Sequence, residues 1–316
     1  MKILIVGKGI IGTIYGWALT EAGVEVTHMV RPGSQAVPEQ TVKLDVLDER
    51  KGHKSENQTY YTMSCVDNIT PEDGFDWIIV PVNAGQLESV LSMLAPVSGN
   101  ACFFTMTSNW NGTELIDQYL PRNRYILGYA DGGGTIRNGV YWTNLGAEVH
   151  LGKVEGTDFN KLDQIKTLFE KADMKPDIQP EMLHWLWVHN ASATAFAAGF
   201  AYQKEMLKFL KNTPMMRTCI EATRELLSMC EKRGANLKDY PEISFMGWPD
   251  WLVIAAMRWL YTTNKSMQRY TAHAASDGSL EETRLNYQLM MKTAKEMNLN
   301  TPALKKLGEF VECKKN

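Results

Sequence analysis

The chain has 316 residues, 44% of them hydrophobic and 22% charged, with a formal net charge of −3. That balance is ordinary for a soluble globular chain of roughly two domains and gives no electrostatic case for a nucleic-acid partner. The five cysteines, Cys65, Cys102, Cys219, Cys230 and Cys313, form no C-x-x-C pair, so reduced thiols in a cytoplasmic protein are expected rather than a disulfide framework or a zinc site. The apolar stretches "ASATAFAAGFAY" and "WLVIAAMRWLY" are too short or too interrupted to span a bilayer, and the glycine-broken N-terminus does not read as a signal peptide.

Residues 2–6, "KILIV", read as a buried parallel strand, and "IGTIYGWALTEAG" follows with helical spacing up to Gly23, a C-cap position. "VEVTHMV" is the next strand, ended by "RPG". "VKLDVLDE" and "NQTYYTMSC" read as shorter strands. "DWIIVPV" is a buried strand, "QLESVLSMLAPV" a helix and "NACFFTMT" another strand. Strands alternating with helices predict an α/β domain with a Rossmann-type, doubly wound parallel sheet. "GVYWTNLGAEVHLGKV" is more hairpin-like and is expected to close that sheet. Two prolines in "KPDIQPEML" mark a boundary, and beyond Glu181 nearly everything has helical periodicity. The expected domains are therefore 1–178, α/β, and 179–316, all-helical.

"GKGIIG" sets Gly7, Gly9 and Gly12 in the G-x-G-x-x-G pattern, between a strand and a helix. In that context Gly7 permits the tight turn, Gly9 lets a pyrophosphate approach the backbone, and Gly12 lets helix and sheet pack closely. The helix N-terminus then faces the phosphates with its unbonded N–H groups. Lys8, Ile10 and Ile11 share this turn and belong to the expected cofactor site. An NAD site usually places Asp or Glu at the end of the second strand, to hold the ribose hydroxyls. Here "HMVRPG" offers Arg31 instead, and a guanidinium suits a 2′-phosphate. NADP(H) is the expected cofactor. In "YADGGGTIRNG", three glycines after Asp131 allow close approach of a ligand or of the second domain. Trp185, Trp187, Trp248, Trp251 and Trp259 read as helix packing, with a subunit interface as the alternative.

With these residues in view, the chain resembles the ketopantoate reductase (2-dehydropantoate 2-reductase) family over nearly its whole length. The resemblance implies reduction of a 2-oxo acid by NADPH in an interdomain cleft, and a homodimer through the helical domain is the expected assembly. "VPVNAGQ" resembles the family's strand-end segment, with Asn83 where the family usually has lysine and Gln86 matching its glutamine. "SNWNG" resembles the Asn-Gly loop, which assigns Asn109 to nicotinamide and substrate. "NKSM" points to Ser266 as a substrate contact, and counting back from Pro302 puts Glu282 on the family's acid. Asn190 matches a substrate asparagine, and Thr194 stands where the family has a second one. The asparagine–glycine pair that follows the acid is absent from "LNYQ". The main departure is Leu186, at the position of the family's proton-donating lysine.

A ketone accepting hydride needs a proton, and histidine is the commonest donor. At about 100° per residue, His189 and Asn190 flank Leu186 on the helix surface, so His189 is the candidate replacement acid. A histidine simply packed beside Trp185 and Trp187 is its other reading. Glu282 likewise has a second reading, as the N3 member of a capping box begun by Ser279. Two alternatives stay open for the whole chain. One is a reductase or dehydrogenase of a different oxo acid or imine, and the other is a non-catalytic NADP-binding protein.

Overall fold

The computed structural model describes residues 1–31, 38–52, 54–273 and 277–312. Two compact units emerge. The first comprises 1–107 and 112–182, and the second 108–111 and 183–316. Pro32, Gly33 and Cys313 lie outside the described residues; the other four cysteines are free and buried. No helix among the described residues is long and apolar enough to cross a membrane.

The first unit is built on nine strands: β1 (Lys2–Val6), β2 (Glu25–Met29), β3 (Glu39–Asp48), β4 (Ser55–Val66), β5 (Trp77–Val80), β6 (Cys102–Thr105), β7 (Tyr125–Arg137), β8 (Val140–Gly152) and β9 (Lys175–Gln179). Its helices are α1 (Ile10–Glu21), α2 (Ala84–Leu94), the single turn α3 (Glu114–Asp117) and α4 (Phe159–Lys171). The spatial order is β3-β4-β2-β1-β5-β6-β7-β8-β9. The run from β4 to β7 is parallel, as the buried apolar strands require.

The parallel sheet expected from sequence forms the centre, and antiparallel pairs are added at both flanks. β3 and β4 form a long antiparallel pair, and so do β7 and β8. The two arms then meet, because residues 43–48 of β3 pair parallel with residues 140–145 of β8. β8 forks: its first half pairs with β3 and its second half, 148–152, with β9. The stretch read as hairpin-like is a single strand, β8, the second arm of a hairpin with β7, and it does close the sheet.

α1 sits in the curve of this sheet, and residues 12–19 are all buried. Its apolar side chains join a core with Ile3, Ile5, Leu44, Val46, Tyr141, Leu145 and Phe169. The glycines after Asp131 serve this packing. A Cβ at Gly132 would lie 3.0 Å from Ile14 Cδ1 and from the Asn144 carbonyl oxygen, beside a bulge between Ala130 and Gly132. Gly132 answers a close approach of helix and strand, and Gly134 one of strand and strand. α1 ends where expected: Gly23 takes φ +72°, its N–H bonds Thr20 O, and the Val24 N–H bonds Leu19 O. These are the two bonds of a Schellman cap.

Beyond the segment 108–111, the second unit is helical: α5 (Met182–Gln203), α6 (Met206–Lys211), α7 (Thr213–Lys232), α8 (Asp250–Thr263), α9 (Lys265–Tyr270), α10 (Asp277–Glu296) and α11 (Pro302–Val311). α5 is so apolar on all sides that it reads as a core element. The helical stretch beyond Glu181 breaks first at Lys204, where φ is +58°. Trp248, Trp251 and Trp259 are exposed, which corrects the packing role read for them from sequence.

Candidate functional sites in the two units

The glycine turn leaves the carboxyl end of β1, next to the ends of β2 and β5. Gly7 has φ +83°, a conformation glycine adopts without steric cost, and its N–H bonds Met29 O at 2.7 Å. Gly9 is the N-cap of α1, with no side chain satisfying the first N–H groups of the helix. A Cβ added at Gly9 would meet nothing within 4 Å, whereas one at Gly12 would lie 3.1 Å from Gly7 O, 3.2 Å from Ile5 Cγ2 and 3.5 Å from Pro81 Cγ. The two glycines thus do different work. Gly12 closes helix onto strand, while Gly9 keeps space open above unbonded helical N–H groups. That is a cradle fitted to a diphosphate.

Other expected cofactor residues surround this turn to differing degrees. Ile10 and Ile11 form the first turn of α1, and Arg31 is exposed just beyond β2. The Lys8 ammonium donates to Gln40 Oε1 at 2.7 Å, and the Lys8 carbonyl accepts from Tyr141 Oη at 3.0 Å. Asn83 and Gln86 follow β5, where Asn83 is the N-cap of α2 and its N–H donates to Gln86 Oε1 at 3.4 Å. Their described role is capping.

Sequence reasoning missed a buried residue beneath the turn. His28 Nδ1 lies 2.9 Å from Gly7 O, and Nε2 lies 3.0 Å from Tyr61 Oη. A carbonyl only accepts, so Nδ1 carries the proton and Tyr61 donates to Nε2. Burial pushes the His28 pKa down from 6.5, against the Gly7 bond that favours the charged form, and raises the Tyr61 hydroxyl to about 12. The sign of the pH effect follows. The unfolded chain protonates His28 near pH 6.5 while the folded chain resists, so His28 costs stability increasingly as pH falls below about 6.5. Between pH 7.5 and 5.5 the native protein is expected to lose more melting temperature than His28→Asn, as read by calorimetry on both.

The second unit gathers several of the predicted substrate residues. Asn190, buried on α5, donates Nδ2 to Ser108 O at 3.0 Å and to Leu186 O at 2.7 Å. Both partners are carbonyls, so the orientation of this amide is settled and its donors are spent internally. Ser108 Oγ in turn donates to Asn286 Oδ1 at 3.0 Å, Trp110 Nε1 to Thr293 Oγ1 at 3.0 Å, and Arg233 Nη2 to Trp110 O at 2.7 Å. Four bonds from the helices therefore pin a three-residue segment. In its middle, Asn109 is buried and holds φ +43°. Left-handed backbone is uncommon outside glycine but least costly for asparagine, and such strain clusters at functional positions. Ser108, Trp110, Arg233 and Asn286 were not picked from the sequence, although a buried amide on an amphipathic helix is a usable signal for Asn286.

Thr194 is buried one turn beyond Asn190 on α5. Leu186, one turn before, is fully buried. His189 is half-buried, with its ring stacked on Trp185 at 4.9 Å and 9°. Ser266 is buried at the start of α9, its N–H accepted by Asn264 Oδ1 at 2.9 Å. Glu282 is half-buried on α10. Ser279 lies inside that helix rather than at its cap, where its carbonyl accepts from Thr283 Oγ1. The structure thus joins Asn190 to the Ser108–Asn109 segment, while Asn190 bonds neither Ser266 nor Glu282.

Sheet order, glycine turn and open cradle define the first unit as a Rossmann-type domain of the class that receives dinucleotides. Residues 3–156 match the family described as Ketopantoate reductase PanE/ApbA. Solved structures similar over the whole length share its fold. They include 2-dehydropantoate 2-reductase from Geobacter metallireducens, 15% identical with TM-score 0.73, covering 99% of each chain. Dimeric ketopantoate reductase from Staphylococcus aureus is 14% identical with TM-score 0.69, covering 99% of this chain and 98% of that one. D-mandelate dehydrogenase in a ternary structure with NADH and anilino(oxo)acetate is 14% identical with TM-score 0.72, covering 99% of this chain and 97% of that one.

Proposed function

We propose that this protein is an NADPH-dependent reductase of 2-oxo acids. The observation that carries the reading is the empty volume at the Gly9 Cβ position above uncapped helical N–H groups. Gly7 to Gly12, with Lys8, Ile10 and Ile11, would hold the diphosphate, Arg31 the 2′-phosphate, and Asn83 and Gln86 would border the nucleotide. The bound nicotinamide would supply the hydride.

The chain's own residues then have separate tasks. Asn190 positions the Ser108–Asn109 segment, and its Oδ1 remains an acceptor suited to a substrate hydroxyl. Asn109, Thr194 and Ser266 offer amide and hydroxyl groups to the oxo acid. Glu282 orients the substrate or relays a proton, and His189 or a water supplies the proton to the carbonyl oxygen.

One observation favours an oxo acid other than ketopantoate: Leu186 fills the lysine position with buried hydrocarbon. The D-mandelate dehydrogenase neighbour, solved with NADH and anilino(oxo)acetate, supports including aromatic oxo acids in that reading. Initial rates over a panel of 2-oxo acids that includes ketopantoate decide between the two. Cofactor choice has its own test. The native protein is expected to favour NADPH over NADH, and Arg31→Glu to reverse the order by tenfold or more in kcat/KM. Equal use of both cofactors by the native protein overturns the assignment of Arg31.

A further inference from the structure

Three consecutive carbonyls of the glycine turn are tied from three directions. Gly7 O accepts from His28 Nδ1 of β2 at 2.9 Å, Lys8 O from Tyr141 Oη of β8 at 3.0 Å, and Gly9 O from the Thr13 N–H of α1 at 2.9 Å. Each carbonyl shares a peptide plane with the N–H of the next residue, and in a trans peptide the two point opposite ways. No cis peptide occurs among the described residues. Fixing the three carbonyls therefore turns the N–H groups of Lys8, Gly9 and Ile10 to the other side of the turn. None of these three has an acceptor among the described residues, whereas the Gly7 N–H is already bonded to Met29 O. Successive unbonded N–H groups of a turn form an anion-binding concavity.

The two side-chain donors are buried and braced. His28 donates from Nδ1 only in the tautomer whose Nε2 accepts, and Tyr61 Oη supplies that proton at 3.0 Å. Thr20 Oγ1, 3.5 Å from Tyr61 Oη, donates in turn. α1 makes room for the pair, since a Cβ at Gly16 would lie 2.5 Å from His28 Nε2 and 2.8 Å from Tyr61 Oη. Gly16 thus seats an imidazole beneath the helix. Tyr141 comes within reach of Lys8 on the arm of β8 that pairs with β3, where it stands opposite Leu44. The closure of the sheet supplies the second donor.

We propose that His28 and Tyr141 are positioning residues for the dinucleotide. They hold the peptides that flank Lys8 with the oxygen turned away from the diphosphate and the hydrogen turned toward it. The inference rests on the reading of this turn as a dinucleotide site and deepens it. Glycines on both sides of Lys8 leave these peptides free to rotate, so the direction must come from elsewhere. A carbonyl oxygen facing phosphate repels where an N–H attracts. Both residues act through the backbone rather than on the ligand. Tyr61 acts one step further back, by keeping the His28 proton on Nδ1.

Tyr141→Phe and Tyr61→Phe each remove one hydroxyl and no packing carbon. Each is expected to weaken NADPH binding about tenfold in fluorescence titrations, the scale of one hydrogen bond. Adenosine 2′-monophosphate, which carries no diphosphate, should bind both variants as it binds the native protein, measured by competition. Nitrogen NMR of the cofactor-free native protein should show His28 with its proton on Nδ1, and Tyr61→Phe should move that proton to Nε2. NADPH affinity within about twofold of native in either variant overturns the proposal. So does an equal loss of adenosine 2′-monophosphate, which would make the hydroxyls supports of the fold alone, or a native His28 protonated on Nε2. A folded native protein that binds no NADPH overturns the dinucleotide reading itself, and this inference with it.

Discussion

Gly9→Val is expected to leave the melting temperature within about 2 °C of the native value and to weaken NADPH binding at least a hundredfold. The backbone there, φ −69° and ψ −178°, suits a branched residue, and no atom of the protein lies within 4 Å of the new Cβ. The substitution therefore costs the fold little while filling the volume a diphosphate needs. Gly12→Val supplies the contrast. Its Cβ would crowd the Gly7 carbonyl and Ile5, so it should lose about 1–3 kcal/mol of stability together with binding. Calorimetry alongside a fluorescence titration with NADPH separates the two. Undiminished binding to Gly9→Val would refute the cradle as a nucleotide site.

Asn190→Ala should lower kcat about a hundredfold on the best 2-oxo acid, the scale of an ångström's misplacement at a reacting centre, with a smaller effect on KM. The helix retains the Leu186 carbonyl within its own ladder. The buried Ser108 carbonyl loses its only donor from α5, at a cost of about 1–3 kcal/mol, and the strained Asn109 backbone loses one of its restraints. Asn190→Asp should be worse, since a carboxylate would face two carbonyls and donate to neither. Steady-state kinetics and melting curves on both variants check this. A native kcat in Asn190→Ala would remove the Ser108–Asn109 segment from the catalytic account.

What could be read from sequence was what the chain settles locally. The turn from β1 into α1, the Schellman ending at Gly23 and the helical periodicity beyond Glu181 each depend on residues a few positions apart. Strand locations followed for the same reason, but their partners did not. "VKLDVLDE" carries alternation that fits either direction of pairing, and nothing in it announces a bond to residues roughly a hundred positions later. The candidate sites divide the same way. The glycine turn was legible because its spacing is local and falls in a recognisable context, between a strand and a helix. His28 was not, because its place beneath Gly7 appears only once β2 lies beside β1. Asn190 was noticed as a buried amide, yet its real partner, the Ser108 carbonyl, lies 82 residues away, and Ser108 reaches Asn286 across 178.

The meeting of β3 with β8 also bears on solubility. A sheet whose flanks join presents few unpaired backbone rows for another chain to extend. Among the described residues, the terminal position in the strand order falls to β9, a five-residue strand, "KPDIQ". Proline cannot donate to an added strand, and lysine and aspartate resist stripping of their water. The rim at β9 is thus short, interrupted and charged, so edge-to-edge aggregation is resisted there by the residues placed where the strand order stops.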